Sequence, residues 1–180
     1  MTALKTHIFL AAFLLTGIFI GVAKSQDTAG EISEREIVSL QKELAEAGEA
    51  SSSSRMRRAY KGIVRDAEDL LETSPGAANR WQVLDIVLRS QERPFGLEDY
   101  ARNREALIDT CAKLARAPDE HAEFRLEADL LLSERDLALN NADLKKRAAA
   151  LTSIVDRYRG TSAEAKSLML AARIAPKLEA

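Results

Sequence analysis

The stretch Val155–Ala172, VDRYRGTSAEAKSLMLAA, decides how the rest of the chain is interpreted. Val155 and Tyr158 end one helical pattern, Gly160 permits a turn, and alanine and leucine at helical spacing begin another helix. Two helices joined by so short a turn predict a helical hairpin. The fold class depends on whether this hairpin occurs once or is the last of a series.

Two earlier stretches have the same arrangement. The first is LLETSPGAANRWQVL and the second is LARAPDEHAEFRLEA, each with an apolar helix end, a proline turn and a new helix. The three turns fall at Pro75, Pro118 and Arg159-Gly160, so they are 43 and about 41 residues apart. A fixed period of roughly 20 to 50 residues is typical of stacked repeats, whose units bury their apolar faces against each other. The sequence therefore predicts an all-α fold, an α-solenoid of about three stacked hairpins.

The apolar residues of this region recur at helical spacing, as on the buried face of an amphipathic helix. The helix after Arg55 carries Tyr60, Ile63, Val64, Ala67, Leu70 and Leu71 on one face. The helix after Pro94 and Gly96 is predicted to bury Leu97, Tyr100, Ala101, Leu107, Ile108, Cys111, Leu114 and Ala115. Two other helices, over 81–88 and 124–137, have apolar residues on more than one side, and we expect neighbours on both sides of each.

The first residues are interpreted as a signal for export. Lys5 precedes an uncharged, mostly apolar run from Ile8 to Val22, and Ala23 and Ser25 offer a cleavage site before Gln26. The run is shorter than the roughly 20 residues of a membrane-spanning helix, so cleavage is expected, with an uncleaved N-terminal anchor as the alternative. The protein is then exported, either periplasmic or secreted, with no membrane contact after cleavage.

The predicted organisation has three parts: a signal peptide at 1–25, a short amphipathic helix with a serine-rich segment at 26–54, and the helical repeat domain at 55–180. In the second part, one stripe is formed by Ile37, Leu40, Leu44 and Ala47. Ser51–Ser54 suit either a flexible link or the start of a helix. The spacing leaves open whether residues 30–50 pack on the repeats or on another chain.

Composition excludes several classes of function. Without Lys5 and Lys24, the chain has 24 basic and 28 acidic residues, a net charge of −4 that gives no field for attracting nucleic acid. The basic residues that follow the serines, from Arg55 to Arg65, are succeeded at once by acids and are interpreted as a solvated helix face. The glycine-rich phosphate loop, the serine nucleophile elbow and the HExxH zinc motif are absent from the sequence. We therefore expect no enzyme activity and no cofactor.

Two residues are candidates for a reactive group or a metal ligand. Cys111 is the one cysteine, so an internal disulfide is excluded, and its alignment with Leu107 and Leu114 favours a buried small side chain over a redox thiol. His121 lies among acids, but a metal site needs three or four converging ligands. We interpret the acids around His121 as first-turn residues that favour the positive end of a helix.

Three side chains are candidates for binding a protein partner. Trp81, Arg80 and Tyr100 combine the residue types that dominate interface energetics. For Trp81, packing in the core is the competing interpretation, because the residues after it form a wide apolar surface.

The turn Arg157-Tyr158-Arg159-Gly160-Thr161, followed by Ala165, Leu168, Ala171 and Ala172, resembles the tetratricopeptide-like half-repeats of exported bacterial proteins. Arg159 stands where that family often has proline, and the period of about 42 exceeds the strict tetratricopeptide period of 34. The resemblance is thus to the long-helix relatives, and it implies stacked hairpins that bind proteins.

A second resemblance covers more of the chain. The segments RRAYKGIVRDAEDLL, NRWQVLDIVLRSQ, LIDTCAKLARAPDE and RLEADLLLSERDLAL look like the N-terminal helical region of exported bacterial redoxin proteins. In that family a thioredoxin-like domain follows the helices and carries out thiol-disulfide exchange. This chain has neither a Cys-x-x-Cys motif nor a βαβ pattern, so the resemblance implies a helical module without its catalytic domain.

Two functions are therefore predicted. The first is an exported, non-enzymatic helical-repeat protein that acts as a protein-interaction or scaffold module, with a partner of unknown identity. The alternative is the N-terminal helical accessory module of an exported thioredoxin-like thiol-disulfide oxidoreductase whose catalytic domain is missing from this chain.

Overall fold

The fold is all-α, as the sequence predicts. The computed structural model describes residues 30–93, 101–139 and 141–178, and within these ranges it contains seven α-helices and no strand. The helices are α1 (Glu34–Gly48), α2 (Ser53–Thr73), α3 (Arg80–Glu92), α4 (Ala101–Leu114), α5 (Ala122–Leu139), α6 (Leu144–Arg157) and α7 (Glu164–Leu178). The predicted signal peptide at 1–25 and Tyr100 lie outside the described residues.

Polar side chains fix the starts and ends of several helices. The Ser52 hydroxyl accepts a hydrogen bond from the Arg55 backbone N–H at 3.4 Å, so the serine run starts a helix and is not a flexible link. The Asp143 carboxylate caps α6 in the same way, because it accepts a hydrogen bond from the Lys146 backbone N–H at 2.8 Å. Gly160 has a φ of +77°, which permits the sharp turn after α6 because glycine has no Cβ.

Three hydrophobic clusters follow one another along the chain. The first is formed by α1, α2 and α3, the second mainly by α3, α4 and α5, and the third by α5, α6 and the turn before α7. Two helices therefore belong to two clusters each, as their wide apolar surfaces predict. In α3, Val83 and Val87 face the first cluster while Leu84 and Leu88 face the second.

The two faces of α5 are also divided as the sequence predicts. Ala128 is buried in the second cluster, and Phe124, Leu131 and Leu132 pack against that cluster. Leu126 is buried in the third cluster and Leu130 packs beside it. Because residues i and i+4 lie on one helix face, this division follows from the spacing alone.

In α4 and just after it, the predicted buried stripe is wrong at three positions. Ala101 and Ala115 are exposed and Ile108 is 50% exposed, whereas Leu107, Cys111 and Leu114 are fully buried. Thr110 completes the buried face, and its hydroxyl donates to the Ala106 carbonyl at 3.0 Å. A threonine can occupy a buried helix position because its hydroxyl bonds to the backbone of the preceding turn. A prediction based only on hydrophobic residues therefore does not identify this face correctly.

The segment before α1 is held against the turn between α2 and α3. The Asn79 side chain accepts from the Ile32 N–H at 3.0 Å and donates to the Ile32 carbonyl at 2.7 Å. Ile37, Leu40 and Ala47 of α1 are buried in the first cluster. Residues 30–50 therefore pack on the other helices of the same chain.

Polar contacts connect α5, α6 and α7. The Tyr158 hydroxyl donates to Asp129 Oδ2 at 2.8 Å, and the same oxygen is 2.6 Å from the Arg157 guanidinium. The Ser162 hydroxyl donates to the Asp119 carbonyl at 3.0 Å, which joins two turns of the chain. Among the helices that the structure describes, none is long and apolar enough to cross a membrane.

Candidate functional site

A groove between α2, α3 and α4 is lined by described residues of all three helices. It has a volume of about 740 Å³, within the range of roughly 300 to 1,000 Å³ typical of ligand pockets. The lining residues are Arg57, Tyr60, Lys61, Val64, Glu68, Ser90, Gln91, Arg102, Asn103 and Ala106. We call this cavity the α2–α4 groove.

The helical spacing of α2 explains its wall of the groove. Tyr60 and Val64 are one turn apart and join this wall to the first hydrophobic cluster, in which Tyr60 is buried. Arg57, Lys61 and Glu68 lie on the adjoining, more hydrophilic side of the same helix. The wall is therefore apolar at its base and charged at its edge.

Positive charge predominates around the groove. Its lining includes three cations, Arg57, Lys61 and Arg102, and one acid, Glu68. Lys61 and Arg102 are exposed and come from two different helices, while Arg57 is half-buried. The local charge thus has the opposite sign to the net charge of the chain, which is −2, and the groove favours an anionic group.

Two polar atoms at the end of α3 have no hydrogen-bond partner in the described part of the chain. Ser90 is 1% exposed, and its Oγ is buried without a partner. Gln91 also lines the groove, and its Oε1 is buried and unpaired. A buried polar atom without a partner is costly, and these two atoms belong to residues that line the groove.

A smaller cavity of about 410 Å³ lies between α1 and α2. Arg55 and Arg58 line it together with Glu43, Glu46 and Asp66. The basic residues at the start of α2 are thus divided between two cavities, and in this one the acids outnumber the cations. The mixed charge fits the interpretation of a solvated helix face.

Two of the predicted interaction residues support the turn between α2 and α3. The Arg80 guanidinium lies 5.0 Å from the centroid of the Trp81 ring and donates to the Pro75 carbonyl. Trp81 is half-buried and packs against the second hydrophobic cluster. Both residues lie outside the lining of the α2–α4 groove, so the structure does not bring them together with Lys61 and Arg102.

The groups with clearly shifted pKa values are buried or engaged in structural contacts. Burial raises the pKa of Asp85, although its partner Arg89 at 2.8 Å acts in the opposite direction. Burial and the hydrogen bond to Asp129 raise the pKa of Tyr158. Burial raises the pKa of the Cys111 thiol from 9.0 to about 11, which keeps it protonated at neutral pH and unsuited to thiol exchange.

His121 lies in a short 3-10 helix, Asp119–His121, just before α5. Its ring is 6.0 Å from the ring of Phe124. Among the described residues, no group of three or more histidine, cysteine, aspartate and glutamate side chains is arranged to hold a metal ion.

The residues that define the groove are not predicted from the sequence. Lys61 belongs to a basic run that is interpreted as a solvated helix face, and Ser90, Gln91 and Arg102 belong to no motif. The available signal is the polar pair Ser90-Gln91, which follows Arg89 at the end of the apolar residues of α3. That signal becomes specific only when α2 and α4 are known to lie beside it.

Comparison with known proteins gives no relative for this chain. No protein-family model matches it, and no curated protein or solved structure matches it.

Proposed function

We propose that this chain is an exported, non-enzymatic helical protein that binds another protein through the α2–α4 groove. The observation that carries the proposal is the groove itself, a cavity of about 740 Å³ with an apolar base, a positively charged edge and unpaired polar atoms. Such a cavity can bind a ligand, and it contains no paired acid and base or activated nucleophile among its described residues.

The packing of the helices supports stacked hairpins of the tetratricopeptide-like kind. Consecutive helices are in contact from α1 to α7, and α3 also contacts α5. The hydrogen bond from Ser162 to Asp119 joins turns that are 43 residues apart, which is close to the period of about 42 in the sequence. Stacked hairpins commonly provide an extended surface for binding proteins.

The proposal of export depends on the sequence of residues 1–25. Small exported domains often contain disulfides, whereas this chain, with one cysteine, can form none within itself. Determining the N-terminus of the chain isolated from its host is the direct check. A mature chain that begins at Gln26 supports export with cleavage, and a chain that retains Met1 supports the anchor.

Photo-cross-linking in the native host tests the interaction. A benzophenone amino acid replaces Ala106, which is exposed and lines the groove, and the matched control replaces Ala149, which is exposed on α6. We expect one discrete protein adduct from position 106 and none from position 149. Adducts of equal yield at both positions, or none at 106, would contradict the proposal.

The identity of the cross-linked protein decides between the two predicted functions. A thioredoxin-like partner with a Cys-x-x-Cys motif would support an accessory module for thiol-disulfide exchange. Any other partner supports a separate interaction module. In either case we expect Cys111 to take no part in thiol-disulfide exchange, because its thiol is buried and its pKa is about 11.

A further inference from the structure

We propose that the α2–α4 groove binds an extended acidic peptide segment, with acidic side chains at Lys61 and Arg102 and a main-chain N–H at Gln91. This inference rests on the proposed function and specifies the chemistry of the partner.

The charge at the edge of the groove selects an anionic partner. Lys61 on α2 and Arg102 on α4 are both exposed and both line the groove, so cations flank it on two sides. Arg57 and Asn103 take part in other interactions within the chain, and the proposal does not depend on them. Acidic groups on a bound segment can therefore pair with cations from two separate helices, which fixes the direction of the segment.

The unpaired atoms at the end of α3 require more than an anion. Gln91 Oε1 can only accept a hydrogen bond and is buried without a partner in the described part of the chain, so a ligand donor reaches it when the half-buried side chain turns outward. The Ser90 hydroxyl is also unpaired, but Ser90 is 1% exposed, and the proposal does not depend on it. A peptide backbone supplies both donors and acceptors beside its side chains, whereas a carboxylate ion supplies no donor to Gln91.

The apolar base of the groove fits the rest of such a segment. Val64 and Ala106 contribute apolar surface to the lining, beside the buried Tyr60. In an extended segment successive side chains point to opposite sides. Apolar side chains can therefore pack on this base while the acidic side chains between them reach the cations at the edge.

Nucleic acid fits these observations less well. The chain as a whole has a net charge of −2, so it repels a long polyanion beyond the groove. The described part of the lining has three cations and one aromatic side chain, which provide no series of stacking surfaces for bases.

Fluorescence anisotropy with the purified full chain tests the proposal. The probes are labelled short peptides in which Asp or Glu alternates with Leu or Val, and the comparison peptides have Lys in place of the acids. We expect binding of the acidic peptides only, with an affinity that falls as salt is added. Equal binding of both peptides would overturn the proposal, as would failure of the acidic peptides to bind.

Charge-reversed variants locate the binding site. The double variant Lys61→Glu with Arg102→Glu is expected to weaken binding by about tenfold or more. The matched control, Lys145→Glu with Lys146→Glu, makes the same change in net charge on exposed residues of α6 and should leave binding unchanged. Equal losses in the two variants would show a non-specific charge effect and contradict the proposed site.

The hydrogen bond to Gln91 is tested by a double-mutant cycle. Gln91→Met keeps the length of the side chain and removes the acceptor, and N-methylation of the peptide backbone removes the donor. Each change alone is expected to weaken binding several-fold, and N-methylation should have no further effect in the Gln91→Met variant. Independent losses in the cycle would remove Gln91 from the proposal.

Inorganic phosphate and acetate distinguish a peptide site from a simple anion site. If millimolar phosphate or acetate displaces the acidic peptide fully, the groove recognises an anion alone and the peptide assignment is wrong. A cross-link at position 106 without binding of acidic peptides would leave the proposed function intact and overturn only this inference. No cross-link at position 106 would reject the proposed function itself.

Discussion

At the scale of single residues, a few polar side chains decide how distant parts of the chain are joined. Asn79 is the clearest example, because its amide forms both a donor and an acceptor bond with the backbone of Ile32, 47 residues earlier. No motif in the sequence singles out Asn79. Its partner could not be predicted, since the backbone groups of Ile32 have no signature in the sequence.

Replacing Asn79 tests this connection. Asn79→Ala removes two hydrogen bonds that are partly shielded from solvent, and we expect a loss of about 1 to 3 kcal/mol in the free energy of unfolding. Urea denaturation measures the loss. Asn79→Asp keeps the acceptor but replaces the donor with a carboxylate oxygen that faces the Ile32 carbonyl, so it should also be destabilising. An unchanged midpoint for the alanine variant would show that the connection does not contribute to stability.

Cys111 gives a prediction for alkaline pH. Its thiol has a pKa of about 11 in the folded chain against 9.0 in the unfolded one, because burial disfavours the thiolate. The contribution of this group to stability is therefore complete below pH 9 and is lost as the pH rises through about 11. We expect Cys111→Ala to show a smaller decrease in stability between these pH values than the natural chain.

Thiol labelling provides an independent measurement on the same residue. Cys111 is fully buried, so we expect slow reaction with a thiol reagent at pH 8 in the native chain and fast reaction after denaturation. Fast labelling of the native chain would mean that Cys111 is accessible and would contradict its buried position.

At the scale of elements, the spacing of apolar residues predicts the helices well. It predicts the buried face of a helix poorly where that face includes a polar residue. The two-sided character of α3 and α5 was predictable, because apolar residues on several sides of a helix require neighbours on each. The buried face of α4 was partly mispredicted, since Thr110 is buried and Ile108 is exposed. A threonine that satisfies its own hydroxyl within the helix is not detected by a search for hydrophobic residues.

Leucine-to-alanine variants test the two faces of α5. Leu126 is fully buried in the third cluster, so Leu126→Ala should cost about 2 to 5 kcal/mol. Leu131 packs at the edge of the second cluster, so Leu131→Ala should reduce the free energy of unfolding by less. Leu168→Ala, at a position that is 50% exposed, is the matched control with an effect near zero. Equal costs at all three positions would contradict the described packing.

At the scale of the whole molecule, three hydrophobic clusters succeed one another and share α3 and α5. The all-α class and the approximate positions of the helices follow from the sequence, because spacing and turn residues are local properties. The α2–α4 groove does not follow, since Lys61, Arg102 and the two unpaired atoms come from three helices. Such a site becomes visible only after the helices are placed together.

Hydrogen exchange tests how independent the clusters are. In an array whose units contact only their neighbours, a local defect affects the adjacent units most. We expect Leu126→Ala to accelerate amide exchange strongly in α6 and α7 and little in α2. Uniform acceleration along the chain would instead show that the described helices unfold as one cooperative unit.

The division of α3 between two clusters has a consequence for insertions and deletions. Inserting one residue near the start of α3 would rotate the later side chains of this helix by about 100° around the helix axis. Val87 would then leave the first cluster and Leu88 the second, so a single change in length would misalign two cores at once. The helix therefore tolerates substitution at one face far better than any change in its length, and we expect length variation among natural variants to be confined to the turns.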